Sequence, residues 1–128
     1  MTKIAVVNDD TVFLDMMAAV LSDAGWDTVI CRESSRAFEE LKREQPDLII
    51  LDIRMESPES GWTLLELLTL DRQMATTPII VCSAAIYDLR AHQEWLSEHG
   101  IAVLPKPFDI EHLLANVEQA LGSPRTPS

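Results

Sequence analysis

Five short runs of apolar, mostly β-branched residues recur along the chain, at Ile4–Val7, Thr28–Cys31, Leu48–Leu51, Ile79–Cys82 and Ala102–Leu104. Runs this short and this continuous mark strands buried on both faces of a parallel sheet. Helix-length segments lie between them, with apolar residues at helical spacing. The clearest sets are Phe13, Leu14, Met17, Val20, Leu21 and Ile110, Leu113, Leu114, Val117, Leu121. Gly25 and Gly100 are C-cap candidates, and Asp10 and Asp109 are N-cap candidates. The alternation predicts an α/β fold, (βα)5, and right-handed crossovers make it a doubly wound, parallel, five-stranded sheet with helices on both faces. After Leu121 the stretch Gly-Ser-Pro-Arg-Thr-Pro-Ser is polar and proline-rich. Residues 1–121 are therefore read as one domain, and 122–128 as a polar tail or the start of a linker.

Composition narrows the function. The chain has 128 residues, 47% of them hydrophobic and 24% charged, enough for one globular domain with a real core. A formal charge of −11 repels polyphosphate, and Lys and Arg form no stripe, so direct nucleic-acid binding is not expected; a cation or a basic partner is. No apolar run approaches the roughly 18 residues of a membrane span, and the N-terminus does not read as a signal peptide, which points to the cytoplasm. Cys31 and Cys82 sit in or beside apolar runs without metal-ligand spacing and read as buried thiols. Trp62 and Trp95 read as helix-face packing residues, and His92, His99 and His112 as surface or satisfied side chains on helices.

Ligands of an open α/β sheet sit outside the carboxyl ends of the strands. At those ends lie Asn8, Asp9 and Asp10 after the first run, Asp52 after the third, Ser83 after the fourth, and Lys106-Pro107-Phe108 after the fifth. Two carboxylates converging there repel unless a cation sits between them, and hard oxygen donors suit Mg²⁺. A hydroxyl and an ammonium beside them complete a pocket for a tetrahedral oxyanion, such as a phosphoryl group on an aspartate.

These residues, in this order, resemble the receiver domain of two-component response regulators. Pro46-Asp47-Leu48-Ile49-Ile50-Leu51-Asp52-Ile53-Arg54-Met55 resembles the segment around that family's phospho-accepting aspartate. Ile79-Ile80-Val81-Cys82-Ser83-Ala84 resembles the strand ending in its Ser/Thr, and Lys106-Pro107-Phe108 is similar to its Lys-Pro-Phe. The resemblance runs from Lys3 to about Leu121. It implies the flavodoxin-like strand order 2-1-3-4-5 and a signalling phosphoacceptor, not an enzyme. Asp52 would take a phosphoryl group from a histidine kinase or phosphotransfer protein in a Mg²⁺-dependent reaction and signal by conformational change. Asp9, Asp52 and the backbone carbonyl of Arg54 would hold Mg²⁺. Ser83, Ala84 and Lys106 would bind the phosphoryl, and Lys106-Pro107 would be a cis peptide bond. A downstream protein or output domain would dock on the face of the fourth helix, fifth strand and fifth helix.

The chain departs from the family pattern at several positions. Asn8 stands where the first of two acids is usual; its amide oxygen can hold a metal-bound water with less charge, so Mg²⁺ binding is expected to be weaker. Val103, three residues before Lys106, stands where a switching aromatic is common, and Tyr87 is a candidate substitute. Glu56 stands where proline is common, and the stretch Glu56-Ser57-Pro58-Glu59-Ser60 before Gly61 looks one residue long. The alternative consistent with Asn8 and Val103 is a pseudo-receiver, a non-phosphorylated protein-interaction module. A haloacid-dehalogenase-type phosphatase would need its nucleophile at Asn8, and a flavin carrier would need a phosphate-binding loop where this chain is acidic.

Overall fold

A computed structural model of the chain describes residues 2–53, 58–84 and 86–122. Its strands are β1 (Lys3–Val7), β2 (Asp27–Cys31), β3 (Leu48–Asp52), β4 (Ile79–Ser83) and β5 (Ala102–Pro105). They pair in parallel in the order β2-β1-β3-β4-β5. The helices are α1 (Thr11–Asp23), α2 (Ser34–Glu44), α3 (Pro58–Leu70), α4 (Ile86–Ala91), α5 (Gln93–Glu98) and α6 (Ile110–Leu121), with a 3₁₀ turn at Arg72–Met74.

Alternation along each strand divides the core in two. Ile4, Val6, Leu48, Ile50, Ile80, Cys82 and Leu104 meet Leu14, Met17 and Leu21 of α1 and Leu113 and Val117 of α6. Ala5, Val7, Ile49, Leu51, Ile79 and Val81 point the other way, onto Ala37, Leu41, Leu64, Leu65, Leu68, Leu89 and Leu96 of the remaining helices. Every residue of β3 and β4 is buried, which is why those runs carry no polar alternation.

Local chemistry sets the helix ends. The Asp10 carboxylate accepts from the N–H groups of Val12 (3.0 Å) and Phe13 (3.3 Å) at the start of α1, and Asp109 accepts from that of His112 (2.7 Å) at the start of α6. Gly25 (φ +94°) and Gly100 (φ +65°) take the left-handed conformation past α1 and α5. There Trp26 N–H returns to Leu21 (3.1 Å) and Ile101 N–H to Leu96 (2.9 Å), closing both helices.

One element differs from the sequence pattern. The expected fourth helix is two, broken at His92, whose backbone (φ −109°, ψ 11°) leaves the helical region. The Asp88 carbonyl accepts from both the backbone N–H of His92 (3.2 Å) and its ring Nδ1 (2.9 Å), so Nδ1 carries a proton. The ring thus shares the Asp88 carbonyl with the backbone at the point where the helix breaks. The ring also stacks on Trp62 of α3, with centroids 3.8 Å apart.

Gly61 places α3 against the exit of β3. A Cβ there would collide with the carbonyl of Ile53, itself fully buried. Gly61→Ala is therefore expected to cost about 1–3 kcal/mol by overpacking, with α3 displaced from β3. Urea unfolding checks this; a variant as stable as the parent would contradict the close approach.

Candidate functional site

The chain runs from β1 out to β2, then crosses back to β3 on the other side of β1, so the crevice outside β1 and β3 is the sheet's switch point. Val7 pairs with Leu51, which brings Asn8 and Asp9 beside Asp52 at the carboxyl ends of these strands. Asp52 pairs with Cys82, and Ser83 with Pro105, which places the β4 and β5 exits on the same rim. Asp9 is exposed, while Asn8 (1%), Asp52 (8%) and Ser83 (1%) are the buried polar residues among those described.

Donors from two other strand exits reach the Asp52 carboxylate. Lys106 Nζ lies 3.0 Å from Oδ2, and Asn8 Nδ2 donates to the same oxygen at 3.1 Å. The ammonium also sits 4.4 Å from the centre of the Phe13 ring, and Phe13 meets Phe108 edge-on with centroids 6.3 Å apart. Lys106 N–H donates to the Ser83 carbonyl (3.0 Å), and the Lys106-Pro107 bond is cis. Ala84 is exposed and lines an open groove of about 380 Å³ with Phe13, Met16, Lys106, Pro107 and Phe108. Arg54 and Glu56 lie outside the described residues, and so does the tail from Ser123 on.

The structure thus brings Asp9, Asn8, Asp52, Ser83, Ala84 and Lys106 to one rim. Asp10 stands apart as the α1 cap. Two contributors escape the sequence pattern. Phe13 falls in the apolar set of α1 yet is only half-buried, its ring under the Lys106 ammonium; its place one turn above Met17 was the available signal. The contact of Asn8 with Asp52 joins positions 44 residues apart and has no local signature.

Val103 lines a separate apolar cavity of about 530 Å³ with Leu89, Leu96, Ile101 and Pro105. Tyr87 is 86% exposed and does not fill it.

Burial pushes the Cys82 thiol up to about 12, with Lys106 lowering it and Asp52 raising it; burial is also the largest cause of the rise of Cys31 to about 12. Both thiols are therefore expected to resist iodoacetamide at about pH 8 in the native protein and to react fully in urea. Rapid native labelling of Cys82 would contradict its burial beside Asp52 in the sheet.

The residue-by-residue likeness extends to the whole fold. The response regulator receiver domain profile matches residues 4–118, and the chain belongs to that family. The DNA-binding transcriptional regulator NtrC of Proteus hauseri is 34% identical over 119 residues, covering 91% of this chain and 24% of that protein. The chain thus spans about a quarter of the length of that relative. The BeF3-activated N-terminal receiver domain of Klebsiella pneumoniae RstA matches with a TM-score of 0.80 at 30% identity, over 94% of this chain and 98% of that one. The receiver domain of the sensor histidine kinase PA1611 of Pseudomonas aeruginosa PAO1, solved with a magnesium ion in its active site cleft, shares the fold at TM-score 0.80 and 23% identity, over 95% of this chain and 98% of that one. Among the described residues no helix is long and apolar enough to cross a membrane.

Proposed function

We propose that Asp52 accepts a phosphoryl group and that this switches the domain's contacts with a downstream protein or output domain. The observation that carries the reading is a buried carboxylate at the end of a central strand, with an ammonium 3.0 Å away and Asp9 beside it on the adjoining strand exit. The donor is a phosphohistidine of a histidine kinase or phosphotransfer protein in the cytoplasm. An Asp52 oxygen attacks phosphorus in line; the O–P bond forms as the N–P bond breaks, and its electron pair returns to the imidazole nitrogen. Lys106 then balances phosphoryl charge, while Ser83 and the backbone at Ala84 donate to its oxygens. The chain is a signalling phosphoacceptor that assists its own phosphorylation and dephosphorylation.

Among the described residues no cluster of three or more acidic, His or Cys side chains could hold a metal. Mg²⁺ does not need one, because it uses one or two carboxylates and keeps several waters. Asp9 and Asp52 fit that demand, with the Arg54 carbonyl as a further ligand and Asn8 acting through a water. When bound, Mg²⁺ supplies charge neutralisation for the phosphoryl oxygens. The output surface is the face of α4, α5, β5 and α6, where the cavity beside Val103 opens.

Incubation with acetyl phosphate and Mg²⁺ followed by intact mass tests the reading. One added phosphoryl group, absent with EDTA and absent from Asp52→Asn, is expected. A parent chain that gains nothing would instead be a pseudo-receiver.

A further inference from the structure

Both ends of the buried Asn8 amide are engaged. Nδ2 donates to Asp52 Oδ2 at 3.1 Å, and Oδ1 accepts from the backbone N–H of Asp10 at 2.9 Å. The backbone N–H of Asn8 donates to the Cys31 carbonyl at 3.0 Å, so β2 holds the residue from the other side. An aspartate here could still accept from Asp10 but has no proton to give Asp52. It would set a second negative charge against Oδ2 instead. The amide is the isosteric side chain that turns this repulsion into a hydrogen bond.

We propose that Asn8 is a positioning residue for phosphoryl acceptance, its amide fixing the Asp52 carboxylate in its reactive orientation before any cation arrives. Lys106 reaches the same oxygen at 3.0 Å. An ammonium on a flexible stem orients a carboxylate loosely, whereas an amide N–H donated from the β1 exit narrows the orientations open to it. The Asp10 contact ties that orientation to the loop carrying Asp9. On this reading the amide does more than carry a metal-bound water. The functional part of this inference rests on Asp52 being the phosphoacceptor; the contact itself can be tested without metal or phosphate.

The test compares parent, Asn8→Ala, Asp52→Ala and the double variant by thermal unfolding in EDTA. Asn8→Ala is expected to lower the melting temperature by about 4–8 °C in the parent and by under about 2 °C in the Asp52→Ala background. No shift in either background would mean that the amide serves only a metal-bound water. An equal shift in both would mean that it serves only the Asp10 loop. Either result overturns the proposal. If Asn8→Ala does not fold, Asn8→Asp keeps the acceptor for Asp10 and loses the donor: its melting temperature must fall in EDTA and recover when Asp52→Ala is added, and no recovery overturns the proposal. In a second arm, at saturating Mg²⁺, Asn8→Ala should take phosphoryl from acetyl phosphate about 5–10-fold more slowly than the parent. Equal rates overturn positioning. A parent that takes up no phosphoryl sinks the proposed function and the positioning role with it, and the melting cycle shows separately whether the contact stands.

Discussion

Lys106→Ala is expected to slow phosphoryl uptake from acetyl phosphate by about 100-fold or more, the usual consequence of removing one preorganised donor from the place where oxyanion charge develops. The lysine is well suited to that task. Its side chain is 26% exposed and that of Asp52 10%, so their 3.0 Å contact is partly shielded from water. The Phe13 face, 4.4 Å away, restrains the ammonium from its other side. Removing it leaves a largely buried carboxylate without its cation, and about 1–3 kcal/mol of stability should be lost in EDTA. Asp52→Asn in the same background should restore most of that loss, because it removes the stranded charge. Initial rates by intact mass and urea unfolding measure the two effects. A rate within about threefold of the parent would place Lys106 outside the reacting pocket.

Asp9→Asn should have the opposite profile, with little effect on the fold and a large effect on metal. Asp9 is exposed, and in a chain of formal charge −11 the loss of one acid relieves repulsion. Stability in EDTA should stay within about 0.5 kcal/mol of the parent or rise slightly. Mg²⁺ affinity should fall by about 100-fold or more, the upper end of what even an outer partner of a metal site costs, and phosphoryl uptake should fall with it. Calorimetric Mg²⁺ titration of parent and variant checks this. Unchanged affinity would remove Asp9 from the metal site, and a variant that melts well below the parent would make it a structural residue.

The two central strands β3 and β4 were legible because burial on both faces leaves no polar positions within their apolar runs. Leu48–Leu51 and Ile79–Cys82 are apolar throughout and extend in the structure by one residue each, to Asp52 and Ser83. The candidate site residues sit at the strand exits, so locating the strands located most of the candidate site. Strand order was a different matter: nothing in the apolar pattern orders the strands, and the resemblance supplied 2-1-3-4-5.

What the pattern did not carry was decided by contacts between distant positions. The break at His92 has no glycine or proline to announce it; the Nδ1 contact with Asp88 and the ring of Trp62 accompany it. Repulsion between Asp9 and Asp52 is the natural inference from two acids at adjoining strand ends. The structure adds what the strand ends do not reveal: Lys106 and Asn8 both reach Asp52, and Asp9 is exposed. An amide in a row of acids shows that charge has been removed from the site, but not which neighbour receives its N–H.

The most direct measurement is to locate the phosphoryl group chemically. Borohydride reduces an acyl phosphate to an alcohol, so a phosphorylated aspartate becomes homoserine and stays marked through digestion. Parent protein treated with acetyl phosphate and Mg²⁺, then borohydride, should yield homoserine at position 52, and the same treatment in EDTA or of Lys106→Ala should yield little or none. Homoserine at position 9 or 10, or a phosphoryl group found on Ser83 in place of Asp52, would contradict the account.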